Sequence, residues 1–278
     1  YTTQSWIADW VLLAKRYRDN PAVVGFDLRN EPHSHGPGEE ILSLGYLHEG
    51  ATWGPFEGQD NPASDWRLAA EQAGNAILAV NPRLLIVVEG TQIYPYRNPQ
   101  PGAMCLGQVP PTGSYCADLY WWGGNLAGVK SYPVRLNVPH QLVYSVHEYG
   151  PQMHSQRWIT PTMGEYDWQQ EMYRHWGYLL DATGPSAAPV WVGEFGTTTT
   201  SDLGVHNLRG NSQGRWFSAL VHYLQRYPSV GWSYWAVNGT TSGGPGRAYG
   251  RQDGFGVLTR DWSHLSLPIL LRALRTIE

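Results

Sequence analysis

Charge is scarce in this chain and is not gathered into blocks of one sign. Of its 278 residues, 15% are Asp, Glu, Lys or Arg, and the formal net charge is -4. The lack of any Lys/Arg run argues against a nucleic-acid partner. The slightly negative balance does not favour a polyanionic substrate. Long apolar runs are missing as well. No stretch reaches the roughly 20 residues that a membrane-spanning helix requires, so no membrane role is expected. Cysteine is reduced to Cys105 and Cys116. Their spacing fits no metal motif, which leaves free thiols or, in an oxidising compartment, a pair closing a small loop. Two signatures of other enzyme classes are not met. The one Gly-x-Ser-x-Gly string, Gly210-Asn211-Ser212-Gln213-Gly214, has no expected strand leading into it and so does not read as a serine-hydrolase elbow, and no Gly-rich turn follows a strand to cradle a dinucleotide or phosphate. His33, His35 and His48 share one loop, but their spacing matches no zinc motif. Neither a metal nor another cofactor is expected.

Aromatics are abundant and unevenly chosen, with 14 Trp and 17 Tyr against 5 Phe. Trp and Tyr combine an apolar face with a polar edge. Such an excess suits a cleft that stacks against flat, partly apolar ligands such as sugar rings, as well as a mixed core. Little Lys, much Gly, Pro, Ser and Thr, and few cysteines suit an exported protein. The opening YTTQSWIADW reads as a helix entry and shows no secretory leader.

Along the chain, helical and strand periods alternate. Trp6, Ile7, Trp10, Leu13, Ala14 and Tyr17 recur at helical spacing, and Asn20-Pro21 stops that helix. The runs 23–28, 84–90, 142–149, 189–195 and 230–236 read as strands without a wet face. Helices are expected near 66–78, 168–180, 212–227 and 267–276. A loop from His33 to about Pro62 exceeds the length of an idle connection, and 91–139 reads as irregular. Strands of this type alternating with helices imply an α/β protein with parallel strands. Polar residues close strand after strand: Asn30 and Glu31, Glu89, His147 and Tyr149, Glu194, Trp235. A (β/α)8 barrel gathers its chemistry at the strand ends in this way, so a barrel is preferred to a doubly wound sheet. Only five of its eight strands are legible.

Two strand-end carboxylates can cut a glycosidic bond as a pair. One protonates the leaving oxygen while the other attacks the anomeric carbon. Glu31 and Glu194 are the candidates. Asn30 is placed to bind the hydroxyl beside the reacting carbon. His147 and Tyr149 share one strand face and can orient a carboxylate. Trp235 can serve as a sugar platform. Glu89 is a candidate of second rank.

Five segments carry a resemblance. VVGFDLRNEPH (23–33), VYSVHEYGP (143–151), VWVGEFG (190–196), WSYWAVNG (232–239) and WWGGNLAGV (121–129) resemble segments of the bacterial endoglucanases of glycoside hydrolase family 5. The resemblance runs over nearly the whole chain. It implies a TIM barrel, with Glu31 as acid/base, Asn30 as its neighbour, and His147 and Tyr149 lining the cleft. It implies Glu194 as nucleophile and Trp235 as sugar platform. It further implies retention at the anomeric carbon, no metal, and secretion. Residues 1–278 would form one catalytic domain lacking its N-terminal part, holding strands four to eight of the barrel. A family Arg and His near the centre would lie in the missing part. Such a barrel would have open edges, which predicts self-association. The expected activity is endo-hydrolysis of β-1,4-glucan. A mannanase, xyloglucanase, lichenase or xylanase of the same family, or a catalytically impaired carbohydrate-binding fragment, is the alternative.

Overall fold

The computed structural model describes residues 2–34, 50–55, 62–96, 104–105, 116–154, 156–199, 212–242 and 248–278. The chain forms two compact units, Tyr1–His147 with His175–Trp191, and Glu148–Arg174 with Val192–Glu278.

In the first unit, α1 (Thr3–Arg16) starts at a capping box. The Thr2 hydroxyl accepts the Ser5 N–H, and Ser5 Oγ accepts the Thr2 N–H, which satisfies two amides that the helix start leaves without partners. Lys15 and Arg16 occupy its last turn, where cations suit the helix dipole. Its tryptophans face inward. The Trp6 ring lies 6.0 Å from Trp66 and the Trp10 ring 5.1 Å from Phe26. Strand β1 (Gly25–Asp27) follows. Gly25 is required there because a Cβ would stand 2.7 Å from the Leu85 carbonyl oxygen. Helix α2 (Trp66–Val80) is capped by Asp65, whose carboxylate accepts the N–H groups of Leu68 and Gly54. Its inner face is Ala70, Ala73, Gly74, Ile77 and Leu78.

Strands β2 (Leu85–Glu89) and β6 (Leu142–Tyr149) complete the parallel core of this unit. Asp27 pairs with Val87, and Glu89 with Ser145. Because β2 is buried along almost its full length, its apolar run has no alternation, as expected of parallel strands covered on both faces. The Tyr144 N–H donates to the Pro189 carbonyl at 2.9 Å, at the entry to β7 (Val190–Gly196). With β8 (Gly231–Tyr234), the strand order of the sheet is β1-β2-β6-β7-β8.

The stretch 91–139, read from sequence as irregular, contains a second sheet. Strands β3 (Ile93–Tyr96), β4 (Met104–Cys105) and β5 (Cys116–Leu119) are antiparallel in the order β3-β5-β4. The strands are short and one contains Pro95, so no period shows. The backbone register sets Cys105 opposite Cys116. Asn125 ties this excursion down, donating to the Asp118 carbonyl and accepting the Ala127 N–H. Buried Asp118 pairs with His175 Nε2 at 3.0 Å, and Tyr120 stacks on the same imidazole.

In the second unit, α3 (Glu165–His175) contributes all but its last residue. The helix predicted over 168–180 therefore stops early, and a 3-10 turn, Gly177–Asp181, takes its place. Helix α4 (Ser212–Arg226) buries Trp216, Phe217, Leu220 and Leu224. Strand β8 (Gly231–Tyr234) is flanked by Phe195, which meets the rings of Trp232 and Tyr234 edge-on. Helix α5 (Pro268–Leu274) begins with proline at its first position, where the missing N–H costs nothing. The Trp232 indole donates to the Ile277 carbonyl. No helix among the described residues is long and apolar enough to cross a membrane.

Candidate active site

The first unit carries Glu31 on the turn after β1. Glu31 is a non-glycine residue at φ 49°, a left-handed conformation costing on the order of 1–3 kcal/mol. Its backbone is held on both sides. The Glu31 N–H donates to Glu89 Oε2 at 2.8 Å, and its carbonyl contacts His33 Nδ1. Its side chain is half-buried, and Oε1 lies 2.9 Å from His147 Nδ1. His147, near the end of β6, is buried, and its Nε2 faces Glu89 Oε1 at 3.4 Å. One imidazole thus stands between two carboxylates.

Glu89 is 1% exposed. Besides the Glu31 amide and His147 it lies beside Asp27, the last residue of β1. Burial first, and then the Glu89 charge, push the Asp27 carboxyl up to about 8, with His147 acting in the opposite direction. The Trp66 indole donates to the Glu89 carbonyl, which locks α2 onto the strand end. Gly123, at φ +71°, passes so close that a Cβ there would stand 2.2 Å from Glu89 Oε2.

His33 does not stand as a loose loop residue. Its ring stacks on Trp122 at 3.9 Å between centroids, within 8° of parallel. Trp122 keeps 44% of its surface exposed. Asn30, predicted to bind a sugar hydroxyl, is exposed. His35 and His48 lie outside the described residues.

The second unit carries Glu194 in β7. The hydroxyl of buried Tyr149 donates to Glu194 Oε2 at 2.8 Å, a charge-assisted bond that favours the ionised carboxylate. Tyr149 in turn meets Phe255 edge-on. Trp235 follows β8 with 39% of its surface exposed. Its N–H donates to the Phe195 carbonyl, and its peptide bond to Ala236 is cis. Gly196 is needed beside it, since a Cβ there would meet the Trp235 carbonyl oxygen at 2.3 Å.

Of the predicted residues, then, Glu31 and His147 are in direct contact in one unit. Tyr149 and Glu194 are in direct contact in the other. Asp27 is missing from the sequence-based set, and Glu89, a candidate of second rank there, contacts the Glu31 N–H and His147. An acid ending an otherwise apolar strand was the available signal for Asp27.

The model of the cellulases of glycosyl hydrolase family 5 matches residues 1–241. An endoglucanase of Paenibacillus polymyxa is 38% identical over 96% of this chain and 53% of its own length. Endoglucanase G of Acetivibrio thermocellus is 33% identical over 94% of this chain and 41% of its own length. The chain therefore spans about half the length of these relatives, or less. An endocellulase from Pyrococcus horikoshii, solved as a complex with cellotetraose, matches with a TM-score of 0.72 and 32% identity, covering 100% of this chain and 64% of that one. The catalytic domain of the major endoglucanase from Xanthomonas campestris pv. campestris matches with a TM-score of 0.69 and 30% identity, over 100% of this chain and 63% of that one. With the parallel sheet and the motif positions in agreement, the chain belongs to the cellulase family, glycosyl hydrolase family 5, and its fold is an incomplete (β/α)8 barrel comprising the fourth to eighth strands.

Proposed function

We propose that residues 1–278 act as one catalytic domain that hydrolyses internal β-1,4 bonds of cellulose or a related β-glucan with retention at the anomeric carbon. The observation that carries this reading is the different support given to the two glutamates within a cellulase-family chain. Glu31 contacts a histidine, while Glu194 accepts a phenolic O–H that stabilises its charge. Two carboxyl groups in unlike surroundings take unlike protonation states. Glu31 donates its proton to the leaving glycosidic oxygen while ionised Glu194 attacks the anomeric carbon. Glu31 then takes a proton from water, and that water releases the sugar from Glu194. Trp235 stacks the sugar on one side of the cut, and Asn30 binds the neighbouring hydroxyl. The exposed Trp122 face supplies a further platform. The Pyrococcus relative that holds cellotetraose supports a linear glucan as substrate. Secretion is the matching location, since the Xanthomonas relative is named an extracellular endoglucanase.

The test is viscosity loss of a soluble cellulose derivative. The chain is expected to lower viscosity faster than it releases reducing ends, and Glu194→Gln to lose at least about a thousandfold of the rate, the scale set by removing a nucleophile. A Glu194→Gln chain with near-normal rate removes Glu194 from the mechanism. Loss of viscosity in mannan or xyloglucan but not in the cellulose derivative replaces the substrate.

A further inference from the structure

The acid/base reading of Glu31 leaves a second pair of carboxyl groups unexplained. Asp27 and Glu89 end adjacent parallel strands, and register sets Asp27 beside Val87, two residues before Glu89 on the same strand face. Asp27 Oδ1 is buried and no hydrogen-bond donor reaches it. Glu89 is also buried, and its oxygens are directed at the Glu31 N–H and His147 Nε2. Two neighbouring carboxylates, Glu89 buried and Asp27 half-buried with its Oδ1 covered, cannot both be ionised cheaply. The Arg29 N–H already donates to the Asp27 carboxyl group, and a proton facing Glu89 supplies the donor that Oδ1 lacks.

We infer that Asp27 holds a proton against the carboxylate of Glu89, and that this acid pair positions the catalytic carboxyl of Glu31 through the Glu31 backbone and the ring of His147. The inference rests on the acid/base role proposed above for Glu31. Asp27 and Glu89 are positioning residues, since neither touches Glu31's carboxyl group. With one proton held, the pair carries a single negative charge. Loss of that proton to solvent leaves two negative charges, which draws a proton toward His147 Nε2 and strengthens the imidazolium that faces Glu31. The titratable groups facing the pair within this unit are Glu31 on the turn after β1 and His147 on β6.

Nuclear magnetic resonance of the substrate-free chain tests this directly. With aspartate carboxyl carbons labelled, one resonance is expected to titrate near pH 8 and to vanish in Asp27→Asn. With histidine ring nitrogens labelled, the His147 signals are expected to shift in the same pH step, and that step is lost in Asp27→Asn. In Glu89→Gln the Asp27 midpoint falls, because the neighbouring charge is gone. An Asp27 midpoint in the ordinary carboxylate range overturns the proposal, as does a His147 profile identical in wild type and a folded Asp27→Asn. Should Glu89→Gln fail to fold, Asp27→Asn, which is nearly isosteric, still decides. The readout needs no substrate. A chain without cellulase activity but with the shared step fails only the functional reading, and an active chain without the step fails only this inference.

Discussion

At the scale of single residues, the two glutamates are each defined by one neighbour, His147 for Glu31 and Tyr149 for Glu194. Asp27 gives this scale a pH signature. Burial first, and then the Glu89 charge, push its carboxyl up to about 8 in the folded chain from an ordinary value of 3.8. Raised in the native state, it contributes stability that is fully present below the unfolded value, is lost progressively as pH rises toward about 8, and changes no further above that. Asp27→Asn removes the effect. Its stability relative to wild type is therefore expected to increase from pH 5 to pH 8 and then to level off, as urea unfolding at several pH values will record. A constant offset across that range contradicts a raised Asp27. The residues of chemical type that a motif can flag, Glu31, His147, Tyr149 and Glu194, were legible in the sequence. Asp27 was not, because its significance comes from pairing across strands with Glu89, which lies far off in sequence.

At the scale of elements, the site depends on tight passages as much as on side chains. Gly123 combines a left-handed backbone with an approach to Glu89 that leaves no room for a methyl group. Gly123→Ala is expected to cost about 1–3 kcal/mol through backbone strain and to displace Glu89 from the Glu31 amide. Thermal unfolding should show the first effect, and a loss of kcat larger than any change in KM the second. An unchanged melting temperature would remove the steric argument. The long parallel strands were readable within one or two residues, since β6 and β7 are apolar runs bounded by turns. The antiparallel β3-β5-β4 sheet was not, because its strands are held by Asn125 and by the Asp118–His175 pair and carry no alternating pattern. The helix over 168–180 was overextended for a related reason. Its apolar spacing continues past His175, while the backbone tightens into a 3-10 turn at Gly177.

At the scale of the whole molecule, the strand order leaves β1 at one end of the sheet. Exposed apolar side chains occur just before it in the chain and on α1. Val24 is 68% and Leu12 66% exposed, with Leu13 and Tyr17 also open to solvent. Among the described residues β1 pairs on one side alone, and such an edge, with apolar residues open to solvent, invites another chain. Sedimentation velocity on the 278-residue chain is expected to show concentration-dependent association, and Val24→Lys to reduce it severalfold. A strictly monomeric chain at high concentration would mean this edge is tolerated as it stands.

Glu89 meets the amide of Glu31, the ring of His147, the carboxyl of Asp27 and the bare backbone of Gly123. Each of these fits only the acid that is there. An amide at 89 changes the charge next to Asp27, a side chain at 123 displaces whatever stands at 89, and an altered ring at 147 removes the group that stands between Glu89 and Glu31. Positions 27, 89, 123 and 147 can therefore drift in descendants of this gene only as a set. A lineage that alters one of them without the others has begun to lose the arrangement before Glu31 or Glu194 is touched.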